Sequence, residues 1–127
     1  MRFSHTSITV RDMDATIAFY TKVLGLEFDR RRRIEENRAE IAFVKDPETG
    51  ARIELTKWDD KPTFEVGEQL DHLAFDVPSV VAAVEAARAA GARVAKEPYR
   101  LAGGTSTIAF LLDPNDVWIE LIERAPR

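Results

Sequence analysis

The stretch at residues 41–55, IAFVKDPETGARIEL, returns in shortened form at residues 108–121 as IAFLLDPNDVWIEL. An internal repeat constrains a fold more tightly than composition does, because one supersecondary unit has to be built twice. Aligning the copies sets Phe43 on Phe110, Asp46-Pro47 on Asp113-Pro114, and Ile53-Glu54-Leu55 on Ile119-Glu120-Leu121. The offset is 67 residues and falls to 66 after the turn. Carried back to the start of each copy, it superimposes His5 on His72, the two histidines of the chain. Each half thus holds one His and one Glu, 49 residues apart in the first copy and 48 in the second. Imidazole and carboxylate donors recurring at matched repeat positions point to a metal site.

The rest of the composition limits what that site can be. With no cysteine in 127 residues, disulfides, thiolate metal sites and cysteine nucleophiles are excluded, and any metal must be held by nitrogen and oxygen. A chain of this length amounts to one compact domain, so the two copies are expected to share it. The formal net charge of −4 offers no long-range attraction for nucleic acid or anionic lipid. No apolar run approaches a membrane span, and Arg11 and Asp12 interrupt any secretory apolar core, so the expectation is a cytoplasmic protein.

Periodicity supplies the modules. Residues His5 to Val10 alternate polar and apolar, as does a half-buried strand. Asp12 is placed to cap a helix carrying Met13, Ile17, Tyr20, Val23 and Leu24 at helical spacing, and Gly25 closes it. Strands are expected from Leu26 to about Arg33, Glu40 to Lys45 and Ala51 to Thr56. The second copy repeats the order: a strand from His72 to Val77, a helix capped by Ser79 and ended by Gly91, then strands at Ala92 to Ala95, Ser106 to Leu112 and Val117 to Ile122. The Asp-Pro segments read as hairpin turns. The expected architecture is α+β, a single domain over 1–127 made of two βαβββ repeats, 1–57 and 70–127, with a charged linker from Trp58 to Gln69.

Strand parity tests the metal reading independently, since alternate side chains point to opposite sheet faces. Ile8 and Val10, Ile53 and Leu55, Leu73 and Phe75, and Ile119 and Leu121 form the set expected to pack under helices. His5, Glu54, His72 and Glu120 fall opposite that set every time. Any one of them alone reads as an ordinary solvated strand residue; their joint placement carries the site. Two neutral imidazoles and two carboxylates balance a divalent charge and suit Zn, Ni, Co, Mn or Fe rather than Ca or Mg.

At these residues the chain resembles the vicinal oxygen chelate superfamily, and within it the glyoxalase I (lactoylglutathione lyase) branch. The matching segments are His5-Thr6 with Val10 and Asp12, FYTKVLG at residues 19–25, Ile41-Ala42-Phe43-Val44, Ile53-Glu54-Leu55-Thr56, Gly103-Gly104-Thr105 before Ile108-Ala109-Phe110, and Asp113-Pro114 before Ile119-Glu120-Leu121-Ile122. The resemblance implies a curved mixed sheet around one divalent metal held by His5, Glu54, His72 and Glu120, with nickel or zinc ranked ahead of cobalt, manganese and iron. It implies isomerisation of a hemithioacetal of methylglyoxal and a thiol to a thioester through an enediolate. Glu120 is the leading base, with Glu54 a ligand and possible second base. It also implies a homodimer in which His5 and Glu54 of one subunit meet His72 and Glu120 of the other, although the same modules could close on one another within one chain.

The chain departs from glutathione-using members at two places, with Thr9 where they carry Arg and Lys57-Trp58-Asp59 where they carry Asn. These departures leave the identity of the thiol open. The run Arg30 to Arg33 reads as a solvated strand paired with Glu35, Glu36 and Glu40, or else as a contact for an acidic substrate tail. The segment from Gly103 to Thr107 reads as a plain turn before a strand, or as backbone amides for a carboxylate. Trp58 and Trp118 either wall the pocket or pack at its edge. Two further functions compete with the lyase: another enolate-forming enzyme of the superfamily, such as an epimerase, and a metal-free drug-binding resistance module.

Overall fold

A computed structural model describes residues 1–67, 69–102 and 105–124. Gly103 and Gly104, on which the turn-or-amide question above falls, lie outside the described residues. The chain divides into two compact units, Met1–Glu65 and Val66–Arg127.

In the first unit, β1 (Thr6–Thr9) leads into α1 (Met13–Ala18), whose start is set by Asp12: its carboxylate accepts from the Ala15 N–H at 2.9 Å. That bond satisfies one of the amides that a helix N-terminus leaves without a partner. The helix widens into a π-helical turn over Phe19–Val23 and is closed by Gly25 at φ 78°, a left-handed conformation that glycine adopts without steric cost. Then follow β2 (Glu27–Ile34), a 3₁₀ turn at Glu35–Asn37, β3 (Ala39–Lys45) and β4 (Arg52–Trp58). Strand order is β1-β4-β3-β2, with β1 parallel to β4 and the other pairs antiparallel.

The second unit repeats this plan with β5 (Leu73–Asp76), α2 (Val80–Ala89) capped by the Ser79 hydroxyl, β6 (Arg93–Arg100), β7 (Thr107–Leu112) and β8 (Trp118–Glu123), ordered β5-β8-β7-β6. The α+β architecture is therefore two four-stranded mixed sheets, one per unit. Even the irregularities correspond: register slips between Phe28 and Arg30 in β2 and between Val94 and Lys96 in β6. Strand β6 runs further than the expected Ala92 to Ala95. It continues through Pro98, which is tolerated because β6 is an edge strand with a second register shift there.

Parity holds for most of the expected core. Ile8, Val10, Leu55, Ile119 and Leu121 are buried under the helices together with Tyr20, Val80 and Val84. Ile53, Leu73 and Phe75 are only half-buried. For Leu73 and Phe75 the reason is coverage: α2 packs chiefly on β6, β7 and β8, and β5 lies at the sheet edge. Among the described residues no helix is long and apolar enough to cross a membrane.

Candidate metal centre

Each unit brings its own histidine and glutamate together on the sheet face opposite the helix. In the first, His5 Nε2 lies 3.8 Å from Glu54 Oε2; in the second, His72 Nε2 lies 3.4 Å from Glu120 Oε2. Among the described residues no three or more His, Asp or Glu side chains form a metal-holding cluster. What each unit offers by itself is a two-donor half-site.

Both rings are steered through their other nitrogen. Ser4 Oγ is 2.7 Å from His5 Nδ1, and Asp71 Oδ2 is 2.7 Å from His72 Nδ1. A carboxylate can only accept, so His72 Nδ1–H donates to Asp71. In the neutral ring this turns the Nε2 lone pair toward the Glu120 carboxylate. At 3.4 Å the Nε2 and Oε2 atoms are two donors close enough to be shared by one cation. An outer carboxylate on one imidazole nitrogen with the other left as a donor is the usual support of a metal-ligating histidine. The donor chemistry therefore fits a borderline divalent metal. Each ring also meets a phenylalanine edge-on, His5 with Phe43 at 5.1 Å and His72 with Phe110 at 5.8 Å between centroids.

The two carboxylates are held differently. Glu54 Oε1 accepts from the Thr56 hydroxyl at 3.2 Å, and that hydroxyl lies 3.0 Å from Ser7 Oγ. In the second unit the residues paired at the same places are Ile122 and Ala74, which have no hydroxyl. Among the described residues Glu120 keeps the His72 contact and no hydroxyl donor. Sequence reasoning passed over this tether, although Ser7 and Thr56 share Glu54's parity and were visible as such.

The arginine run divides by face. Register pairs Arg30 with Phe43 and Arg32 with Ile41, on the Glu54 side, while Arg31 and Arg33 pair with Ala42 and Glu40 on the other. On that second side Arg31 bonds Asp14 and Glu40, and Arg33 bonds Glu35 and forks onto Asp59. The Arg33 guanidinium holds the Asp59 carboxyl below its usual range, and the acids raise both guanidinium groups. Of the expected partners Glu35, Glu36 and Glu40, Glu35 and Glu40 are engaged and Glu36 pairs with none of these arginines among the described residues, while Asp14 and Asp59 are partners in addition. Trp58 shares the strand parity of Glu54 but sits at the end of β4, where it lines a cavity of about 500 Å³ together with Arg11, Arg33, Glu40, Lys57, Asp59 and Pro62 rather than with His5 or Glu54. Trp118 stands on the Glu120 face, 39% exposed, with its ring 5.3 Å from that of Phe110.

The profile of the Glyoxalase/Bleomycin resistance protein/Dioxygenase superfamily matches residues 2–121. A probable lactoylglutathione lyase of Vibrio parahaemolyticus is 39% identical over 124 residues, covering 96% of this chain and 90% of that protein. A lactoylglutathione lyase of Escherichia coli O157:H7 is 41% identical over 125 residues, covering 97% and 93%. Among solved structures, glyoxalase I from Zea mays superimposes with a TM-score of 0.86 at 31% identity, covering 96% of this chain and 44% of that one, so the chain spans under half the length of the maize enzyme.

Proposed function

Because the chain belongs to the Glyoxalase/Bleomycin resistance protein/Dioxygenase superfamily and has lactoylglutathione lyases as relatives along nearly its whole length, we propose that it is a metal-dependent, glyoxalase I-like lyase. It would convert the hemithioacetal of methylglyoxal and a thiol into a thioester. The observation that carries this reading is the repeated His–Glu pair, set on the same face of each unit with the imidazole Nε2 turned toward the carboxylate.

In this reading the whole chain acts as one domain of two repeats, and His5, Glu54, His72 and Glu120 hold one divalent metal, nickel or zinc before the others. A full set takes one pair of each kind, supplied across a homodimer. When bound, the metal supplies Lewis-acid polarisation that makes the substrate C–H acidic. Glu120 removes that proton and returns it to the neighbouring carbon. The role is supported by the absence, among the described residues, of a hydroxyl donor to Glu120 like the one Thr56 gives Glu54. Glu54, held by Thr56, serves as the fixed ligand. A cytoplasmic location goes with this reading, since free thiols persist there.

Metal analysis of protein purified without added metal, followed by a spectrophotometric assay of thioester formation from methylglyoxal and glutathione, tests the proposal. The expected result is retained divalent metal and activity that a chelator abolishes and metal restores. Protein that neither retains metal nor forms thioester after metal addition would overturn it.

A further inference from the structure

All four arginines of the run 30–33 are exposed, so access to solvent does not separate them. Their hydrogen bonding does. Arg31 gives Nη1 to Asp14 and Nη2 to Glu40, while Arg33 gives both Nη atoms to Asp59 and Nε to Glu35. Each of these two guanidinium groups thus has at least two of its three nitrogens committed to carboxylates. Arg30 and Arg32 lie on the other face of β2. Among the described residues neither has an acidic partner. The Arg30 guanidinium sits over the Phe43 ring at 5.0 Å, a contact that ties up no nitrogen in a hydrogen bond.

The difference bears on the chemistry of 2-oxoaldehydes such as methylglyoxal. Their two adjacent carbonyl carbons close a five-membered ring on two nitrogens of one guanidinium. The arginine must first release a proton to water, because the charged group is not a nucleophile. Each carbonyl carbon then forms one C–N bond, and two N–H protons pass to the former carbonyl oxygens. Loss of one water from the resulting diol leaves a hydroimidazolone, and no oxidant or reductant is consumed. The reaction therefore needs two unengaged nitrogens and access to the neutral form. Paired carboxylates withhold both, since they occupy the nitrogen edge and hold the proton on. Glu40 and then Asp14 raise the Arg31 guanidinium above its ordinary range, and Asp59 chiefly raises that of Arg33.

We propose that Arg30 and Arg32 are the sites of this run at which a free 2-oxoaldehyde covalently modifies the protein, while Arg31 and Arg33 are shielded by their ion pairs. The proposal rests on the lyase reading above, which brings the protein into contact with that class of compound. Cross-strand register puts Arg30 in the row Ser7-Glu54-Phe43-Arg30, two strands from Glu54 and on the order of 10 Å away. The ring carbonyl makes a hydroimidazolone a far weaker base than a guanidinium, so each adduct removes one positive charge from the face that carries Glu54. Thiol addition consumes the aldehyde carbonyl that ring closure needs. Modification therefore belongs to conditions in which the oxoaldehyde exceeds the thiol.

The test is incubation of the purified protein with methylglyoxal in the absence of thiol, then cleavage after glutamate and fragmentation mass spectrometry of the peptide from Phe28 to Glu35. That peptide holds all four arginines of the run and no lysine. Each adduct is read as a gain of one methylglyoxal, with or without the loss of one water. At low conversion, adduct at Arg30 and Arg32 should exceed that at Arg31 and Arg33 by about threefold to thirtyfold, the range for two surface ion pairs per shielded arginine. In the variant D59N/E35Q, whose folding circular dichroism checks, Arg33 should rise to within about twofold of Arg32. Protein unfolded in urea should show no preference among the four. Equal modification of all four in the native protein overturns the proposal, as does continued protection of Arg33 in the folded variant. So does the same preference in urea, which would assign it to the local sequence rather than to the ion pairs. The two readings fail separately: selective adducts on protein that forms no thioester sink the lyase reading alone, whereas thioester formation with equal modification of the four arginines sinks this assignment alone.

Discussion

Around Phe43 the first unit gathers His5, Arg30 and Arg52; around Phe110 the second gathers His72 and Trp118, while Lys96, the counterpart of Arg30, turns toward Tyr99. The backbones correspond down to the register slip ahead of Arg30 and of Lys96. The histidine, phenylalanine and glutamate also recur. What differs is the covering: a cationic face with a hydroxyl-tethered glutamate in one unit, an aromatic face with an Asp71-held histidine and a glutamate that has no hydroxyl donor among the described residues in the other. The contrast separates what a repeated backbone requires, a core and turns, from what it leaves free, the side chains on the sheet face that carries the histidine and glutamate.

Glutamate substitution breaks the comparison hardest. Glu120→Gln should lower kcat by about 10²–10⁴ with metal retained, the range for loss of a general base, and Glu54→Gln should cost clearly less. Steady-state kinetics on metal-quantified protein decides this, and equal losses would mean that the two carboxylates share the proton transfer. The core should show the opposite behaviour. Leu55 and Leu121 occupy equivalent repeat positions and are 0% and 2% exposed, so truncating either to Ala should destabilise the fold by about 2–5 kcal/mol. Urea denaturation measures both, and a gap of more than about 2 kcal/mol would show that the repeats are packed unequally. The smallest effect sharpens the second-unit half of the comparison. Asp71→Asn weakens the support of His72 and should reduce metal affinity by about tenfold to a hundredfold. Ser4→Ala at His5 should do less, since a neutral hydroxyl makes a weaker hydrogen bond than a carboxylate. Competition with a metal indicator reads both, and a larger effect at Ser4 would reverse the assignment of the stronger support.

Much of this was legible along the chain because it depends on near neighbours. Asp12 and Ser79 cap the helices they precede, Gly25 closes the first with a positive φ, and the strand parity of Ile8, Leu55, Ile119 and Leu121 matches their burial. The candidate donors stood out for a similar reason, since a repeat displays equivalent positions without any structure. The extension of β6 through Pro98 was hidden because proline argues against a strand until its edge position is known. The division of the arginines was hidden too: Arg33 meets Asp59 across 26 residues of sequence, and no local pattern pairs them.

By itself, the sequence determined the duplicated βαβββ plan, the cap of each helix, and the face on which each histidine and glutamate lies. These follow from period, parity and cap chemistry, which act over a few residues. Tertiary structure alone decided which carboxylate a hydroxyl restrains, which arginines are neutralised, and which ring each cation covers. Those outcomes depend on cross-strand register, where Thr56 sits beside Ser7 and Arg30 beside Phe43, and register is a property of the assembled sheet.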